Sequence, residues 1–96
     1  MTHTIEDIVA LLDSKARGNI RGSAKLVFTD LATIILTEDG ATLGDADADV
    51  TLSAAPEVFA AILDGSQNPM MAVMKGKLKV DGSNTRALKV SDILTR

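Results

Sequence analysis

The chain has 96 residues, 46% of them hydrophobic, and a formal net charge of −3, enough for one domain with a small core and too little for two. It holds no Cys, Trp or Tyr, and Phe28 and Phe59 are its only aromatics. Disulfide and thiolate chemistry are therefore excluded. The acidic balance and the lack of stacking platforms argue against a nucleic-acid partner.

The first element is a helix over 4–17. Ile5, Ile8, Val9 and Leu12 recur at the i, i+3, i+4, i+7 spacing of one helical face. Thr4 with Asp7 marks its start and Gly18 its end. From Ile20 the period falls to two. In a first strand Ile20, Gly22, Ala24, Leu26 and Phe28 share one face, and Arg21, Ser23, Lys25 and Val27 the other. The chain turns at Thr29-Asp30. A second strand, 31–37, sets Ala32, Ile34 and Leu36 against Thr33, Ile35 and Thr37. Glu38-Asp39-Gly40 is a hairpin signal, because Asp-Gly readily supplies the positive φ that tight turns need. A short strand over 41–44 follows.

The acidic link Asp45-Ala46-Asp47 leads to a strand at 48–53, where Val50 and Leu52 alternate with Asp49, Thr51 and Ser53. A helix over 55–64 has Pro56 at its start, Phe59, Ile62 and Leu63 on its apolar face, and Gly65 at its end. Asn68-Pro69 opens a short apolar helix over 69–75, stopped by Gly76. The strand 77–81 points Leu78 and Val80 inward, and the 87/90/94 spacing makes 84–94 a final helix. Charged residues at alternate strand positions imply one wet sheet face. The helices then cover the other, giving an α+β two-layer domain.

Charge is uneven. Residues 1–74 carry four basic side chains against eleven acidic, and residues 75–96 six against two. That basic quarter suits either a transient anionic membrane contact or an ordinary solvated surface. Asp45, Asp47 and Asp49 have the opening spacing of a calcium loop, but its sixth and twelfth positions are Val50 and Pro56 rather than Gly and Glu. His3 stands alone, and the serines and glycines form neither a nucleophile elbow nor a phosphate cradle. No catalytic residue, metal site or cofactor is expected. Without a leader-like N-terminus or an apolar run of membrane-spanning length, the expected location is cytoplasmic. Met70, Val73 and Met74 share one helical face; they fit both ordinary core packing and a deformable pocket wall.

The stretch Gly65, Asn68-Pro69, Met70 to Met74, Gly76-Lys77-Leu78-Lys79-Val80 and Gly82 resembles the sterol carrier protein type 2 family, as does Ala48-Asp49-Val50-Thr51-Leu52 upstream. The likeness spans about 5–94 in the sequence. It implies a single SCP2-like domain over 1–96 with a five-stranded mixed sheet in order 3-2-1-4-5, covered on one face by helices. It further implies an apolar tunnel between the layers. The ligand would be a fatty acid, acyl-CoA, phospholipid or a sterol- or isoprenoid-like lipid. Its expected walls are Phe28, Ile34, Val50, Leu52, Phe59, Ile62, Leu63, Met70, Val73, Met74, Leu78 and Val80. Each buried methylene contributes about 0.8 kcal/mol, so a 14-carbon tail offers on the order of 10 kcal/mol gross. The alternative is a non-catalytic interaction or dimerisation module with a filled core, using outward Val27 and Ile35 and forming a homodimer.

Overall fold

A computed structural model describes residues 5–20 and 22–95. The Thr4 start signal, His3, Arg21 and Arg96 lie outside the described residues. The elements are α1 (Ile5–Ala16), β1 (Ser23–Phe28), β2 (Ala32–Thr37), β3 (Gly40–Leu43), β4 (Val50–Ala54), α2 (Pro56–Asp64), α3 (Pro69–Met74), β5 (Leu78–Gly82) and α4 (Asn84–Leu94). The strands form one sheet in the order β3-β2-β1-β4-β5. β1 and β4 run parallel, and every other pair is antiparallel.

Alternation places the core. In β1 the residues Ala24, Leu26 and Phe28 are buried, and their register partners Leu36, Ile34, Val50, Leu52 and Ala54 are buried beside them. Against this row pack Ile8, Leu12 and Ala16 of α1, Phe59 and Ile62 of α2, and Val90, Ile93 and Leu94 of α4. The rings of Phe28 and Phe59 stack with centroids 4.3 Å apart, a contact that adds about 0.5–1.5 kcal/mol beyond the area it buries. α1 lies over β2 and β3, α4 over β4 and β5, and α3 over β5.

Two strand starts differ from the sequence reading by two residues or more. Ile20 is buried as expected, but its N–H donates to the carbonyl of Ala16, and Gly22 has φ +77, so extended backbone begins at Ser23. β4 begins at Val50 because Asp49 closes the link: its N–H donates to the Ser23 carbonyl at 3.1 Å, and its carboxylate accepts from the Ser23 N–H at 3.0 Å. The crossover from β3 therefore has all of 44–49 to pass two strands, more room than a strand starting at residue 48 allows. Lys25, on the sheet face away from the helices, pairs with Asp45 of that link at 2.7 Å. The same face leaves Val27 and Ile35 only half-buried.

In the β2–β3 hairpin, the residue with positive φ is Gly40 (+123), which pairs with Thr37 across a two-residue loop. A Cβ at Gly40 would collide with the Asp13 carboxylate. That carboxylate accepts from the Ala41 N–H at 2.9 Å and from Arg17 at 2.9 Å. One acidic side chain of α1 thus fixes the helix to the sheet edge, and only glycine leaves it room.

Candidate functional site

The segment 65–84 builds the site. Gly65, in the left-handed region at φ +89, ends α2. Asn68 then caps α3: its side-chain oxygen accepts from the N–H groups of Met70 at 2.8 Å and Met71 at 3.2 Å. This satisfies two donors that have no partner within the helix. Pro69 occupies the first helical position, where its missing N–H costs nothing. The Lys77 N–H donates to the Ala72 carbonyl at 2.8 Å, and the chain turns into β5, where Val80 pairs with Leu52. Ser83 accepts from the Arg86 N–H and starts α4.

α3 rests on the domain through its smallest side chains. Pro69 and Ala72 are buried, whereas Met70, Met71, Val73 and Met74 are 52, 45, 40 and 78% exposed. α4 carries two stripes at helical spacing. Ala87, Val90, Ile93 and Leu94 are buried in the core, and Asn84, Leu88 and Ser91, with Thr95 just past the helix end, are turned toward α3. Between α3, β5 and α4 runs a groove of about 280 Å³ lined by Met70, Val73, Val80, Asn84, Ala87, Leu88 and Ser91. An adjoining cleft of about 210 Å³ shares Met70, Leu88 and Ser91 and continues to Asn68, Pro69, Asp92 and Thr95.

Among the described residues, the 280 Å³ groove has five apolar wall residues, two hydrogen-bonding ones, Asn84 and Ser91, and no charged side chain. Such a lining holds hydrocarbon and can orient a polar end, and it contains no acid–base pair. Two smaller clefts differ in character. One, about 140 Å³, lies between α1 and α2 at Asp7, Ile8, Leu11, Ala60, Leu63 and Asp64. The other, about 160 Å³, is lined by Asn19, Ile20, Ser23, Arg86, Lys89, Val90 and Ile93.

The twelve residues expected to wall a tunnel fall into three groups. Met70, Val73 and Val80 meet in the groove, and Leu63 lines the α1–α2 cleft. Phe28, Ile34, Val50, Leu52, Phe59, Ile62 and Leu78 are buried in the core and line none of the four clefts. Met74 is on the outer side of α3 and lines none of them either. Asn84, Ala87, Leu88 and Ser91 were not singled out from sequence. Leu88 carried the available signal, an apolar residue in the otherwise polar stripe of α4.

Asp45 and Asp49 do not converge on a cation: one pairs with Lys25 and the other with the Ser23 backbone. Among the described residues no cluster of His, Cys, Asp or Glu could hold a metal ion. The Asp13 carboxyl is held below the ordinary carboxylate range, first by the Ala41 N–H and then by Arg17. Among the same residues no helix is long and apolar enough to cross a membrane.

The model of the SCP-2 sterol transfer family matches residues 6–95. The chain belongs to that family. Half of the chain, 48 residues, is 42% identical to hydroxysteroid dehydrogenase-like protein 2 of Rattus norvegicus, and that stretch is 9% of the rat protein's length. The fold is similar to the crystal structure of sterol carrier protein 2 like 2 from Aedes aegypti. There the TM-score is 0.76 at 20% identity, covering 92% of this chain and 94% of that one. It is also similar to Aedes aegypti sterol carrier protein 2 in complex with the fatty acid palmitate. That match has a TM-score of 0.78 at 17% identity and covers 97% and 96% of the two chains. The sheet order 3-2-1-4-5 is thus the family's own.

Proposed function

We propose that this SCP-2 family member is a non-catalytic lipid carrier that holds one hydrocarbon chain in the groove between α3, β5 and α4. One observation carries the reading: Met70, Val73 and Leu88, at 52, 40 and 52% exposure, converge with Val80 and Ala87 on a groove of about 280 Å³ without a charged wall. Apolar side chains gathered in a concave, charge-free space are what an acyl chain covers. The size is near the lower limit of ligand pockets, roughly 300 Å³, which favours a fatty acid or the single tail of an acyl-CoA over a sterol ring system. Asn84 and Ser91 give the polar end hydrogen-bonding partners. The palmitate complex of the mosquito neighbour supports the same ligand class.

The test is native mass spectrometry of gently purified chain, followed by displacement of a fluorescent fatty acid. A stoichiometric bound lipid and saturable displacement are expected. A ligand-free protein with no affinity for the probe would sink the proposal. The packed centre, where Leu26, Ile34, Leu36, Leu52 and Ile62 have no exposed surface, favours a second reading, an interaction module with a filled core. That reading requires a partner or a dimer, which sedimentation at increasing concentration would reveal.

A further inference from the structure

We propose that the cleft of about 160 Å³ between the end of α1, the start of β1 and α4 binds a soluble phosphate monoester. Its floor is apolar, formed by the buried Ile20, Val90 and Ile93. Its rim carries two cations one helical turn apart on α4, the half-buried Arg86 and the exposed Lys89, with Asn19 and Ser23 completing it. No carboxylate is among the described residues that line it. The two neutral polar side chains have donors to spare. The Ser23 hydroxyl oxygen accepts from the Asp49 N–H at 3.3 Å, which leaves its hydrogen for another acceptor. Asn19 donates one amide N–H to the Lys15 carbonyl at 3.0 Å and has a second. Guanidinium, ammonium, hydroxyl and amide N–H together form a donor set suited to the oxygens of a phosphate. The guanidinium is held close to β1 by the missing side chain of Gly22: a Cβ there would meet Arg86 Nη1 at 2.9 Å, and the Asp49 carboxylate crowds the same point. That carboxylate also accepts from the Ser23 N–H at 3.0 Å.

Other anions fit less well. A carboxylate offers two oxygens in one plane, whereas a phosphate monoester offers three terminal oxygens to the four donor-bearing side chains. A nucleic-acid strand would need aromatic platforms, and Phe28 and Phe59 are both buried in the core. The apolar floor favours an ester over inorganic phosphate, because a carbon substituent can rest on it. The cleft is also separate from the acyl groove. On α4, Arg86 and Lys89 face the cleft, and Asn84, Leu88 and Ser91 face the groove, so the two sets occupy opposite sides of one helix. Phosphate binding therefore does not rest on lipid carriage.

Amide-resolved NMR of the full chain at fixed ionic strength tests the proposal, with inorganic phosphate and butyl phosphate as probes. Saturable shifts centred on Asn19, Ser23, Arg86 and Lys89 are expected, with butyl phosphate binding about threefold more tightly than inorganic phosphate. Sodium chloride at matched ionic strength should give no such shifts. Lys89→Gln, at an exposed position, should weaken butyl phosphate binding about fivefold. Arg86→Gln, which removes a charged donor, should weaken it about tenfold or more, with circular dichroism checking that both variants stay folded. Palmitate bound beforehand should leave the phosphate affinity unchanged. The absence of saturable shifts, the same shifts with chloride, or parental affinity in Lys89→Gln and Arg86→Gln would each overturn the proposal. Equal affinity for the two probes would overturn the ester assignment, and competition by palmitate would overturn the separation from the groove. A chain that binds butyl phosphate but takes up no fatty acid leaves this inference standing and removes lipid carriage. Fatty-acid uptake without phosphate binding does the reverse.

Discussion

Truncation of Leu88 and of Leu52 to alanine, one chemical change at two depths, should give opposite phenotypes. Leu52 has no exposed surface and sits between Leu26 and Val80 in the register of the sheet. Leu52→Ala removes buried methyl groups and leaves a cavity, at a cost of about 3–5 kcal/mol. With urea dependences of about 1–3 kcal/mol per molar, the unfolding midpoint should fall by 1 M or more. Leu88 is 52% exposed and borders the groove. Leu88→Ala should shift stability by less than about 1 kcal/mol, because half of the side chain is already in water. An acyl chain in the groove would cover that exposed half, worth about 1 kcal/mol of a leucine's 1.5–3. Fatty-acid affinity should therefore weaken about fivefold in Leu88→Ala and stay largely intact in folded Leu52→Ala. Urea titration and fluorescent fatty-acid displacement on the two variants decide it. If Leu88→Ala loses as much stability as Leu52→Ala and keeps its affinity, Leu88 is a packing residue and the groove is misplaced.

Gly40→Ala should cost about 1–3 kcal/mol for backbone strain at φ +123. It should cost more than Gly18→Ala, which shares the positive φ but has open space at Cβ; chemical denaturation of both checks this. The folded-state pKa of Asp13 is depressed by Ala41 and Arg17, so its stabilising effect is present above the unfolded value of about 4 and is lost as pH falls through the folded value. Asp13→Asn should therefore differ from the parent chain at neutral pH and converge with it in strong acid, as followed by urea unfolding at each pH. Asn68→Ala deletes the cap of α3 and should destabilise the chain by about 0.5–2 kcal/mol. It should also speed fatty-acid release, measured by stopped-flow displacement.

Much of the architecture was legible because its signals are local. The two-residue alternation of 24–28 and 32–37 became the buried row of β1 and β2, and Gly18, Gly65 and Asn68-Pro69 fall at helix ends. Pairing order was not legible in that way, since alternation says which face is buried and nothing about the neighbouring strand; the order came from the family resemblance. Strand starts shifted where hydrogen bonds between distant residues decided them, as with Asp49 and Ser23. The site was only partly readable. With Met70, Met71, Val73 and Met74 in a six-residue helix, apolar residues occupy nearly every position, and no periodicity tells inside from outside. Packing chose the small face, Pro69 and Ala72, for the interior. The groove's other wall comes from α4, whose polar stripe is the pattern that ordinarily marks a solvated surface.

The central claim is that hydrocarbon occupies the space between α3, β5 and α4. Methyl-resolved NMR during titration with palmitate addresses it most directly. The expected result is saturable, one-to-one shifts of the Met70, Val73, Val80 and Leu88 methyls, with Leu26, Ile34 and Leu36 unmoved in the core. Saturable shifts confined to the core methyls, or no saturable shift at any methyl, would contradict it.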